Sequence, residues 1–188
     1  MKNQTLEEWA EPLAKIIESH LEKATSTYQN LSEDVLNARP ADGGWSAAGC
    51  IAHLNTYSDF YLPKTRRALG QVVAEQGGGT FRSGTLGKLL TNTIKPENKL
   101  KLKAFKAHRP PEDLDGVAVI AQFIEYQEQW LRLLHEIEGG NQLDARVQSS
   151  ITPLIRFKLG DVFAFMKAHD ERHLQQADRV LGSLMEKV

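Results

Sequence analysis

The stretch Ala168-His169-Asp170-Glu171-Arg172-His173-Leu174-Gln175-Gln176, close to the end of the chain, decides the reading. Val162, Phe165, Met166, Ala177, Val180 and Leu181 extend it in both directions at helical spacing and mark a buried stripe. His169 and His173 lie within that stripe. Four residues are just over one turn, so both imidazoles leave the same face. Two polar rings at core positions need partners, and two ring nitrogens converging from one face suit a divalent metal ion. The spacing H-x-x-x-H does not by itself separate a ligand pair from two hydrogen-bonded core histidines, because it lacks the glutamate of H-E-x-x-H.

Three further segments carry the same period. Thr5 and Glu8 form a capping box, after which Trp9, Leu13, Ile16, Ile17, Leu21, Ala24 and Tyr28 recur at helical spacing. Pro12 sits early enough to be tolerated. Ser32 to Asn37 adds at most a short turn. The loop Arg39-Pro40-Ala41-Asp42-Gly43-Gly44-Trp45 leads to Ser46, a good N-cap for a second long helix ending near Leu69. On it Cys50, His53, Leu54, Tyr57, Phe60 and Tyr61 share one face, so His53 is a third histidine on an apolar stripe. A third long helix is predicted from about Val117 to Glu138, closed by Gly139-Gly140, and the last from near Gly160 to about Leu181. Between the second and third lies a long connection. Gly77-Gly78-Gly79 makes its first part flexible, and the tract Leu86–Lys106 is weakly helical and broken at Pro96. Lys95, Lys99, Lys101, Lys103 and Lys106 form a solvated basic face. Leu143, Ala145 and Val147 alternate with polar residues and suggest a short extended piece. Four long amphipathic segments without a convincing sheet predict an all-α fold, a four-helix bundle in one domain over residues 1–188.

Composition narrows the function. Lys+Arg total 23 against Asp+Glu 24, so no basic surplus points to nucleic acid. No apolar run reaches membrane-spanning length. Cys50 is the only cysteine, which excludes an intrachain disulfide. The chain reads as soluble and cytoplasmic, with a small-molecule substrate, no nucleic-acid or membrane partner, and a homodimer left open.

The candidate site is therefore His53, His169 and His173, with the remaining coordination positions left to water or substrate, as in catalytic sites. Affinity for such a metal should fall as pH drops through about 6.5, where free imidazole protonates. Gln176 shares the face of His169 and reads equally as a ligand-binding amide or a stripe-edge polar residue. Asp170 and Glu171 are expected in solvent, Asp170 with a second reading as a residue orienting a histidine. Cys50, Tyr57 and Tyr61 are expected in the core. His20 is assigned to the surface, with the pocket as the alternative. His135 lies at a helix C-terminus, where a cation is favoured, and His108 lies in a loop without a signal.

Gly44-Trp45-Ser46 followed by His53-Leu54, then His169-Asp170-x-x-His173-x-x-Gln176, resembles the DinB/YfiT-like superfamily. The segment Lys101 to Pro111 is similar to that family's middle region. The resemblance implies a bundle of up-down-down-up type with a long crossover between its second and third helices. It also implies one divalent metal ion, often nickel or zinc, held by His53, His169 and His173. Characterised members include thiol-dependent enzymes, such as bacillithiol transferases and mycothiol-dependent maleylpyruvate isomerases, and many others are called metal-dependent hydrolases. The expectation is a metalloenzyme that activates a low-molecular-weight thiol or a water. The alternative is a non-catalytic metal-binding or stress-response protein that uses the metal for structure.

Overall fold

The computed structural model describes residues 3–41, 43–76, 78–98, 100 and 103–185; Asp42, Gly77, Lys99 and Lys101 of the segments read above lie outside it. The chain is mostly helical. Helix α1 (Leu6–Ser26) starts as the capping box predicts: Glu8 N–H donates to Thr5 Oγ1 at 3.1 Å, and Thr5 N–H donates to Glu8 Oε2 at 2.9 Å. A 3-10 turn (Tyr28–Asn30) and the short α2 (Glu33–Asn37) lead to α3 (Ala47–Leu69). Ser46 Oγ accepts the Gly49 N–H at 3.0 Å and caps α3. The connection that follows holds α4 (Thr85–Ile94), which ends just before Pro96. Helix α5 (Gly116–His135) is capped by Asp115, and Glu33 of α2 accepts the Gly116 and Val117 N–H groups. It stops before Gly139-Gly140, which enter a 3-10 turn instead. Helix α6 (Leu159–Met185) closes the chain.

Two short ribbons add to the helices; the extended piece suggested by Leu143, Ala145 and Val147 is found at Val147 in the second, while Leu143 lies in a 3-10 turn. Strand β1 (Gln4–Thr5) pairs with β2 (Thr80–Phe81), and β3 (Arg146–Gln148) pairs with β4 (Arg156–Lys158), both antiparallel. The first ribbon seats Phe81 under α6, where a Cβ on Gly160 would come within 2.5 Å of the Phe81 ring. In the second, Val147 faces Phe157 across the pair and both turn into the core, which leaves Arg146, Gln148, Arg156 and Lys158 on the outer face.

Helix α3 packs against α5 and α6, and α1 packs against the same two, so the four longest helices contact one another in a ring. Their apolar residues form two clusters. One gathers Trp9, Ile17, Tyr61, Trp130, Phe163 and Met166; the other gathers Ala24, Tyr28, Ile51, Leu54, Phe123 and Leu174. The boundary between them falls at one level on all four helices. Buried polar side chains occupy it: His20 on α1, His53 on α3, Gln127 on α5, and Lys167, His169 and Asp170 on α6. No helix among the described residues is long and apolar enough to cross a membrane.

Candidate metal centre

The polar layer brings His53, His169 and His173 together, with one ligand-capable atom from each lying within 4.8 Å of the others. His53 Nε2 and His169 Nε2 are 3.3 Å apart. Proton positions follow from the neighbours. His53 Nδ1–H donates to the His108 carbonyl at 2.5 Å, which leaves its Nε2 with a lone pair toward His169. His173 Nδ1–H donates to Gln176 Oε1 at 3.0 Å, which likewise leaves its Nε2 free. His169 Nδ1 is buried and has no partner among the described residues. Two lone-pair nitrogens fixed by second bonds, plus a third imidazole meeting them, is a donor set that fits a divalent cation.

Electrostatics agree with that fit. Burial pushes the His53 pKa down from 6.5 to about 4, partly opposed by its bond to His108. Burial, then the His53 ring, pushes His173 down to about 3. Burial, then His173 and His53, holds His169 well below 6.5. All three rings are therefore neutral near pH 7, as coordination requires. Burial thus places the protonation that competes with metal below the 6.5 of free imidazole, on which the expected pH dependence was based.

Aromatic rings enclose the cluster. Trp45 lies 4.9 Å from the His53 ring and 6.0 Å from that of His173, and Tyr57 lies 5.1 Å from His53 and 4.5 Å from His169. Gly49 permits the Trp45 position, since a Cβ there would meet Trp45 Cβ at 3.2 Å. Phe165 stacks on His169 at 5.6 Å.

Several residues are not where the sequence places them. His108 is buried in a 3-10 turn (Lys106–His108), its ring stacked on Tyr57 at 3.9 Å. Thr56 Oγ1 donates to the His53 carbonyl at 2.8 Å, so its lone pair accepts His108 Nδ1–H at 3.0 Å. The loop residue without a signal thus fixes the orientation of His53. Asp170 is fully buried, not solvated. Its Oδ2 accepts Lys167 Nζ at 2.8 Å and Gln127 Nε2 at 3.0 Å. His20 is buried too, 3.9 Å from Asp170, and its Nε2 bonds Glu171 at 3.1 Å, which holds that carboxyl down at about 2. Glu171 is only half-buried. Between the two α6 histidines, Arg172 donates to the carbonyls of Lys95, Asn98 and Leu100 and ties down the chain beyond α4. Other expectations agree with the structure. Cys50 is a core residue whose thiol is pushed up to about 12 by burial. Tyr57 and Tyr61 are buried, while His135 and the described lysines Lys95, Lys103 and Lys106 are exposed.

No curated protein and no solved structure matches the chain. A family model does, over residues 16–177, from the middle of α1 through the histidine pair of α6. With most of its length so matched, the chain belongs to the DinB superfamily.

Proposed function

We propose that the chain is a four-helix-bundle metalloenzyme of up-down-down-up topology, its long connection crossing between α3 and α5, that folds as one domain and acts in the cytoplasm on a small-molecule substrate. His53, His169 and His173 hold one divalent ion, nickel or zinc. The single observation that carries this reading is the convergence of three neutral imidazoles from two helices, with Nε2 of His53 and of His173 freed by bonds at Nδ1. Bound there, the ion supplies Lewis acidity, which lowers the pKa of a thiol or a water at neutral pH. The chain does the rest. His108 and Gln176 hold protons on the outer nitrogens, so that the inner ones stay free. Trp45, Tyr57 and Phe165 limit water around the rings. Cys50 cannot act as the nucleophile, being buried with its thiol pushed up to about 12. In the thiol version of the reaction the sulfur would come from a low-molecular-weight cosubstrate; in the water version none is needed. A cleft of about 360 Å³, lined by Arg39, Trp45 and Arg109 among others, lies on the far side of Trp45, whose ring neighbours His53, and is assigned here as the substrate's docking place.

Calorimetric titration of nickel and of zinc into metal-free protein tests the reading. One ion per chain is expected, with His53→Ala, His169→Ala and His173→Ala each losing most of the affinity and His135→Ala unchanged. A His53→Ala variant that binds normally refutes the ligand set. A chain that unfolds on chelation makes the metal structural and favours a non-catalytic role.

A further inference from the structure

We propose that the cleft between the C-terminal part of α3 and the outer face of the β3–β4 ribbon is a second binding site, independent of the histidine cluster, for a ligand carrying phosphate groups. The cleft has a volume of about 430 Å³. Lys64 and Arg67 enter it from α3, and Arg146 and Arg156 from the two strands; among the described residues no acidic one lines it. This stands against an overall charge of -1, with acids outnumbering bases along the chain.

Two structural reasons for such a cluster can be weighed. A cation near the end of a helix offsets the negative pole of its dipole, which accounts for Arg67 in the last turn of α3. It does not account for Arg146 and Arg156, which belong to the ribbon. Ion pairing is the other reason, and here the cations differ. Lys158, on the same ribbon face, is paired with Asp144 at 2.6 Å, and Lys64 lies over the Phe60 ring at 3.8 Å. Arg146 feels Asp161 only at longer range. Arg67, Arg146 and Arg156 make no ion pair among the described residues. Several cations gathered in one concavity raise the local positive potential, and an anion entering it relieves their repulsion.

The lining also narrows the ligand. Guanidinium forks match phosphate oxygens in pairs. Gln71 and Gln148 add amides suited to hydroxyl groups. No aromatic ring among the described residues lines the cleft, so it lacks the stacking platform on which single-stranded nucleic acids are bound. The volume lies in the range of small-molecule sites. A compact phosphate ester or polyphosphate meets all three conditions. The same phosphate chemistry occurs on anionic lipid headgroups, and the ribbon's tip exposes Ile151 and, at 92 %, Leu154.

The test uses full-length protein with a chelator present, so that a failed metal site leaves the result unaffected. Pyrophosphate is titrated by calorimetry at constant ionic strength, and sedimentation is measured with phosphatidylcholine vesicles with and without phosphatidic acid. Binding of pyrophosphate, weakened about tenfold by Arg146→Gln and by Arg156→Gln, is expected. Arg66→Gln, on the same turn of α3 but outside the cleft, should bind as the parent does. Binding only to phosphatidic acid vesicles, with the same dependence on Arg146 and Arg156, supports the site and assigns its source to a lipid surface. No binding in either arm overturns the proposal, as does equal weakening by Arg66→Gln, which is the signature of net charge alone. Unchanged thermal unfolding of the glutamine variants confirms that Val147 and Phe157 still seat the ribbon.

Discussion

Replacing Asp170 by asparagine probes the polar layer beside the histidines. In the parent, Asp170 Oδ2 takes Lys167 Nζ at 2.8 Å and Gln127 Nε2 at 3.0 Å, while Gln127 Oε1 takes the same Nζ at 2.8 Å. Lys167 is 2 % exposed and Asp170 is 0 % exposed, so no solvent rescues the ammonium when the carboxylate goes. Breaking a buried pair by removing one partner costs about 3–5 kcal/mol. For a chain of this size that lowers Tm by roughly 6–20 °C. Denaturant unfolding of metal-free protein at neutral pH measures it, with an unchanged slope against denaturant as the two-state control. The pH dependence gives a second signature. Burial already pushes the Lys167 pKa below 10.5, opposed by Asp170. Without Asp170 it falls further, so the unfolded chain binds a proton that the folded one has shed, and stability rises with pH. The deficit of Asp170→Asn should therefore shrink toward alkaline pH. The triple variant Gln127→Leu/Lys167→Met/Asp170→Leu, which removes both charges and the buried amide bonded to them, should recover most of the loss. A single variant within about 1 kcal/mol of the parent at neutral pH, or a deficit that grows with pH, refutes the account.

Three further outcomes follow from the centre itself. The metal-free protein should lose stability as pH falls below about 6.5: His53 falls from 6.5 to about 4, so the unfolded chain protonates first, and its share alone is about 3 kcal/mol. His53→Gln should flatten a plot of Tm against pH, and a parent curve already flat between about pH 7 and about pH 4 contradicts the burial argument. Metal affinity of the folded chain, by contrast, should hold well below pH 6.5, and calorimetry that finds it collapsing there would mean the rings are hydrated. Thr56→Val removes the oxygen that joins His108 to the His53 carbonyl; it should weaken nickel binding about tenfold while Thr56→Ser restores it, and equal affinities for both variants remove His108 from the positioning of His53.

What could be read in advance was local. The Thr5–Glu8 box and the Ser46 cap involve residues three apart, and the structure reproduces both. The histidine stripe was legible because a single helix places i and i+4 on one face. The misplaced residues depend on neighbours that a single helix does not reveal. Asp170 does point away from the His169 face, but α6 packs against α1, α3 and α4, so the far side of the helix is interior as well. His20 reads as a border residue for the same reason: its partner Glu171 lies 151 positions away. His108 has no periodicity to betray it, since a 3-10 turn gains its role only by folding back onto α3. The alternation at Leu143, Ala145 and Val147 hinted at β3, but β1, β2 and β4, of two or three residues, carry too little alternation to be seen.

The position of the polar layer bears on why the chain tolerates it. Replacing buried ion pairs by apolar groups is often neutral or stabilising, so Lys167–Asp170 is no argument for stability by itself. Its expected contribution is registry. Each helix carries its buried polar group at the boundary between two apolar clusters, and sliding α6 by one turn would set Asp170 against apolar neighbours and strand Lys167. The same constraint holds His169 and His173 level with His53, because Asp170 lies between them on one rigid helix. The pair expected to penalise misalignment of the helices is thus one residue from the ring that meets His53. A metal bound by the three imidazoles adds to this in the usual way, by about 4 kcal/mol at a free concentration a thousandfold above Kd. That gain is comparable to the loss expected for Asp170→Asn, so saturating nickel should return much of the variant's stability if the folded arrangement of the histidines survives the substitution.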